Sequence, residues 1–185
     1  MPEEETHIHG SMFFLLHEFI VSRYGQGCWM KLTEKTGANS AYDRHKNYPA
    51  SEMFLIIKAL ADHTELPENT VKEMFGEHLV PKLLTLYRSH IRPEWKTFEM
   101  LENTELVMHQ AVRKQENEAN PPVLNISRVH DKLLIIDYFS KRRMASLAVG
   151  IIKGIAQFYN ESEKINVIPM SDQNDERVQI RIEFK

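Results

Sequence analysis

The chain has one cysteine, Cys28, among its 185 residues. It therefore cannot close an internal disulfide, and it fits a reducing compartment. It has no long hydrophobic run: nothing approaches the roughly 18 apolar residues that a membrane-spanning helix needs. It has no surplus of positive charge, since 23 Lys and Arg stand against 26 Asp and Glu for a net charge of −3. That removes the basic footprint expected of a nucleic-acid-binding protein. The N-terminus, Met1 to Thr6, is acidic where a secretory leader would be basic and then apolar. Paired metal spacings are missing too: nine histidines are scattered along the chain, with no HExxH and no Cys/His knuckle. These absences, with 42% hydrophobic and 26% charged residues, imply a soluble cytoplasmic domain large enough to bury its own core.

What is present changes character near residue 120. Before it, apolar residues recur at helical spacing. Met12, Leu15, Leu16, Phe19 and Ile20 form one face, and Trp29, Leu32 and Thr33 begin another. Ser51 reads as the N-cap of a helix from Glu52 to His63, with Phe54, Ile57, Leu60 and Ala61 on its buried side. Pro67 opens a further helix through Met74, Phe75, His78 and Leu79, and Pro81 should kink or end it. Another helix is expected from about Thr97 to Glu116. Asn120-Pro121-Pro122 stops the helical pattern. Strands should follow at Val123–Val129, Lys132–Ser140, Ile165–Met170 and Arg177–Phe184, with a helix at Met144–Tyr159 between the second and third. This is an α+β order: a helical half, then a small antiparallel sheet carrying one inserted helix. Cys28, Trp29 and Trp95 read as core or boundary residues, and His7 and His9 as part of a flexible tail.

Two features carry chemistry. Tyr138, Ser140 and Arg142 alternate at the end of the apolar run Lys132–Ile136. In an extended strand they would share a face, offering two hydroxyls and a forked cation to a carboxylate or phosphate. Taken alone, the same pattern also describes a solvated strand end. His109 lies amid Leu106, Val107, Met108 and Val112. Such a histidine is commonly a satisfied core residue, yet a neutral imidazole on an apolar helix face is also what an axial haem ligand requires.

His109, then Pro121-Pro122, then Tyr138-Phe139-Ser140-Lys141-Arg142, in this order and at these separations, resembles the haem nitric oxide/oxygen-binding (H-NOX) domain family. The resemblance runs from His9-Gly10 to the C-terminal Ile180–Lys185, leaving residues 1–8 as an N-terminal extension. It implies a helical half of about residues 9–64, a haem-binding half of about 65–185, and one haem b (iron protoporphyrin IX) between them. Carried over, His109 is the iron ligand, while Tyr138, Ser140 and Arg142 hold the propionates. Pro122 presses on the porphyrin, and Met12, Leu16, Leu79, Leu147 and Ile151 line the distal side. Gly76 and Gly150 match hinge glycines of the family, and they also read as plain helix glycines kept for close packing.

Members that hold O2 use a distal tyrosine; the matching position here is Leu147. Without a donor, bound O2 loses a charge-assisted hydrogen bond worth about 1.5–3 kcal/mol, or roughly one to two decades in affinity. The resemblance therefore implies a non-enzymatic sensor of NO at ferrous haem, with CO weaker and O2 disfavoured. Its signal would be rupture of the Fe–His109 bond, passed by conformational change to a histidine kinase or a cyclic-di-GMP enzyme (diguanylate cyclase or phosphodiesterase). Competing readings are a haem-free interaction module of the same fold and an O2-binding haem protein. A haem peroxidase would want a polar distal histidine or arginine, which the apolar distal candidates do not supply.

Overall fold

The computed structural model describes residues 6–105 and 122–185. These fall into two compact units, Met1–Phe75 and Gly76–Lys185, and the described residues confirm the α+β order.

In the N-terminal unit, β1 (His7–His9) pairs antiparallel with β2 (Asn47–Pro49), with Ile8 opposite Tyr48. Helices α1 (Gly10–Tyr24), α2 (Gln26–Thr36) and α3 (Ala50–Thr64) pack beside them. Ile8 is buried, so a flexible tail does not describe the residues around it. The reason is local: the Ala50 N–H bonds to the Thr6 carbonyl at 2.8 Å, tying this segment to the start of α3. Gly10 is needed where it stands, because a Cβ there would run into the Asp43 carbonyl and sit 3.0 Å from that of Lys46. The core face of α1 is Phe13, Leu16, Phe19 and Ile20, while Met12 and Leu15 are half-buried at its margin. Ser51 is not a cap: α3 begins at Ala50 after Pro49, and no side chain caps it. The turn is set by the fixed backbone of proline instead.

Pro81 does not break its helix. α4 runs unbroken over Glu68–Leu86, with Pro81 inside it and exposed. Proline costs one backbone hydrogen bond and a ring clash, about 3 kcal/mol or more. The burial of Leu79, Val80 and Leu84 around it offsets that cost, since a fully buried aliphatic side chain contributes about 1.5–3 kcal/mol.

The C-terminal unit is a four-stranded antiparallel sheet in the order β3 (Val123–His130), β4 (Leu133–Phe139), β6 (Arg177–Phe184), β5 (Ile165–Pro169). It carries α5 (Thr97–Thr104), α6 (Ala145–Phe158) and the C-terminal part of α4. The remainder of the expected 97–116 helix lies outside the described residues. In register, Leu134, Ile136 and Tyr138 oppose Ile182, Ile180 and Val178, and all six are buried. Period-two alternation thus puts Tyr138 on the core side, and a one-residue slip would turn it out.

Candidate functional site

The strand ends one residue earlier than expected, and this decides how the polar group is built. β4 stops at Phe139. The Ser140 N–H still bonds to the Glu176 carbonyl at 2.8 Å, after which the chain turns, with the Arg143 N–H on the Ser140 carbonyl at 3.1 Å. Arg143 adopts a left-handed φ of 53°. Arg142 therefore lies in the turn and not on the strand, which corrects the expectation of one shared strand face. Its backbone N–H bonds to the Ser140 hydroxyl at 3.2 Å, and the turn returns it to Tyr138.

Tyr138 and Ser140 are buried, 2% and 8% exposed. Loss of hydration pushes the Tyr138 hydroxyl up; hydrogen bonds with the Ser140 side chain and the Met144 backbone, and the Arg142 charge, pull the other way without overcoming it. The phenol stays a protonated donor at neutral pH. Burial pulls Arg142 below its ordinary range while Tyr138 raises it, and a guanidinium remains charged throughout. Among the described residues no carboxylate pairs with Arg142, whereas its exposed neighbour Arg143 meets Glu176 at 3.3 Å. A cation drawn out of water beside two buried hydroxyls, with no carboxylate of its own, is the donor set for an anionic ligand.

Pro122 is half-buried and lies one position beyond the Val123–Phe139 pair, at the ladder end where Ser140 begins the turn. The α6 helix starts five residues past Ser140, so Leu147 and Ile151, both half-buried, rise from the same corner. They lie where α4 crosses α6. A Cβ on Gly76 would fall against the Leu147 carbonyl and within 2.8 Å of the Ile151 nitrogen, so the two backbones touch. Leu79, three residues along α4, is buried. Gly154, which the sequence did not single out, makes a second close approach one turn on, near Val80 and Glu77. In the N-terminal unit, Met12 and Leu16 are one turn apart on α1. His109 lies outside the described residues. Ser146, beside Leu147, has a hydroxyl that is buried without a hydrogen-bond partner. No group of three or more His, Cys, Asp or Glu among the described residues could hold a metal, and none of their helices is long and apolar enough to cross a membrane.

The haem-NO-binding family profile matches residues 9–167. Solved structures with this fold include an H-NOX protein from S. oneidensis in the Fe(II)NO state, with 24% identity, a TM-score of 0.85, and coverage of 96% of this chain and 99% of that one. An Fe(II) unliganded H-NOX protein from K. algicida matches at 19% identity and a TM-score of 0.85, over 96% and 97% of the two chains. A single-site mutant of T. tengcongensis H-NOX matches at 19% and 0.81, over 96% and 98%. No curated protein matches the chain. The structural likenesses establish the fold, and the profile, which spans most of the chain, establishes the family. This chain belongs to the haem-NO-binding (H-NOX) family, a family of haem-based gas sensors.

Proposed function

We propose that this chain is a sensor of nitric oxide, binding one haem b through Tyr138, Ser140 and Arg142 at the propionates and His109 at the iron. The observation that carries this reading is Arg142: partly buried, beside two buried hydroxyls, and without a carboxylate among the described residues. Two propionates would supply the missing negative charge. When bound, haem contributes a ferrous iron able to take up a diatomic gas.

The protein's own residues do the rest. Tyr138 and Ser140 donate O–H groups, and the Arg142 fork neutralises the carboxylates in a site where hydration no longer competes. Neutral His109 presents a ring nitrogen to the metal. Pro122 would bear on the porphyrin, while Leu147, Ile151 and Leu79 would supply an apolar distal side. Leu147 offers no donor to a partly anionic O2, so NO is favoured, CO binds more weakly and O2 is disfavoured. His109, as the residue holding the iron, would carry the signal of gas binding into the chain, to be read by a histidine kinase or a cyclic-di-GMP enzyme. The chain itself is not catalytic.

Titration of haem-free protein with haem tests the reading. Wild type should take up one equivalent and turn red, and His109→Gly should lose the proximal-histidine signature. A wild-type protein that cannot be loaded would overturn it.

A further inference from the structure

Period-two alternation gives the C-terminal sheet two faces, and α5 and α6 pack on the one that holds Leu134, Ile136, Ile180 and Ile182. The other face is open among the described residues. Strand register assembles it: Val123 of β3 stands opposite Phe139 of β4, Ile135 of β4 opposite Arg181 of β6, and Arg181 opposite Ile168 of β5. Met170 follows on, its N–H bonding to the Gln179 carbonyl at 2.8 Å. Val123, Phe139, Ile168 and Met170 are each between 38% and 53% exposed, and they are four of the nine large apolar side chains exposed among the described residues. Leu133 and Ile135, half-buried, join them on this face. Exposed apolar side chains scattered singly need no explanation, but four gathered on one sheet face form a patch. The charges of the face are balanced within it. Arg181 Nη2 meets Glu183 Oε1 at 2.6 Å, Arg177 Nη2 lies 3.9 Å from Asp137 Oδ1, and Gln179 Nε2 donates to the same oxygen at 3.2 Å. No other charged side chain stands among its strand positions. Two cations and two carboxylates thus leave no net charge for a nucleic acid, an anionic membrane or a charged peptide to recognise.

We propose that two copies of this chain associate through this face, sheet on sheet. A neutral, largely apolar sheet face is complemented by another of the same kind, and a two-fold axis presents each copy with the surface it itself carries. Stacked sheets lie about 10 Å apart with their side chains interdigitated, which would cover Phe139, Ile168 and Met170. Four strands about 4.8 Å apart, of up to eight residues at about 3.3 Å each, give a footprint on the order of 500 Å² per copy. A pair therefore buries about 1,000 Å², the size at which a specific interface begins, so the dimer is a weak one. Alternation turns Tyr138 to the core side, away from this face, and the proposal does not rest on the haem reading.

Sedimentation equilibrium of the full chain tests this, from about 1 μM to about 500 μM, a span that brackets a weak interface of this size. Wild type should pass from monomer to dimer across it. Ile168→Glu with Met170→Glu would bury unpaired carboxylates and should raise the dissociation constant by about tenfold or more. Leu86→Glu, at an exposed apolar position on α4 outside the face, should leave it unchanged. Because the charges of the face pair among themselves, raising salt from about 0.1 M to about 1 M should not weaken the dimer. Circular dichroism checks that each variant is folded. If the double variant is not, Val123→Glu, on the opposite edge of the same face, decides. Wild type that stays monomeric throughout would overturn the proposal. So would a dimer that the folded face variants leave intact, that Leu86→Glu disrupts equally, or that salt dissolves.

Discussion

The Ser140 hydroxyl accepts the Arg142 backbone N–H at 3.2 Å, and this bond turns the chain at the end of β4 so that Arg142 faces Tyr138. The site is thus a strand end plus a turn, and Ser140 both shapes the turn and offers its hydroxyl. Removing the Arg142 charge deletes charge-assisted bonds of about 1.5–3 kcal/mol, so Arg142→Ala should weaken haem uptake roughly 10- to 100-fold. Ser140→Ala should weaken it less and also cost about 1 kcal/mol of stability. Haem titration and urea unfolding of the two variants separate these effects.

Gly76 and Gly154 should respond differently to a methyl group. At Gly76 the added Cβ meets backbone of α6, the Leu147 carbonyl and the Ile151 nitrogen, which cannot move aside. Gly76→Ala should therefore destabilise by about 1–3 kcal/mol, although alanine gains up to about 1 kcal/mol in helix propensity. At Gly154 the nearest atom is the Val80 Cγ2 at 2.6 Å, a side chain that can rotate, so Gly154→Ala should cost less. The order of the two urea midpoints checks this.

How far these features could be read in advance depended on the range of the interaction involved. The alternation of Val178, Ile180 and Ile182 was legible because a half-buried strand writes period two into its own sequence. The cluster of Tyr138, Ser140 and Arg142 was legible as a group, but its geometry was not, because the Ser140–Arg142 turn depends on a bond to Glu176 across the sheet. β1 and β2 were missed, since three residues each, one of them Pro49, are too short to show a period. Pro81 was overruled by burial on either side of it. Arg128 of β3 pairs with Glu99 and Glu102 of α5 at 3.0 and 3.1 Å, and this was invisible because the carboxylates lie about thirty positions away in sequence and only the fold brings them together. The part of the expected 97–116 helix that would carry His109 lies outside the described residues.

Lys72 provides a pH test of the N-terminal unit. It is 7% exposed on α4, and lost hydration lowers its pKa, with Glu68 opposing. A lysine depressed in the folded state is more protonated when unfolded, so stability rises as pH climbs from the folded value towards the unfolded value near 10.4. Below that window the buried charge is a standing cost. Lys72→Met should raise the unfolding midpoint at pH 7, and the gain should shrink at pH 11. An equal gain at both pH values would place the effect in packing and not in charge.

On the proposed reading, Leu147 governs the choice of gas. Leu147→Tyr would set a hydroxyl donor on α6 at the half-buried position one turn before Ile151. Affinity for O2 should rise by roughly one to two decades, read as an oxy spectrum that persists in air. Leu147→Phe, with the ring and no hydroxyl, should show no such gain.

The measurement that tests the central claim most directly is the absorption spectrum of ferrous wild-type protein, purified from haem-replete cells, under NO and then separately in air. The account predicts a red protein whose Soret band shifts on NO addition and that forms no stable oxy complex in air. Colourless protein that cannot be reconstituted, or a ferrous protein that holds O2 stably, would contradict it.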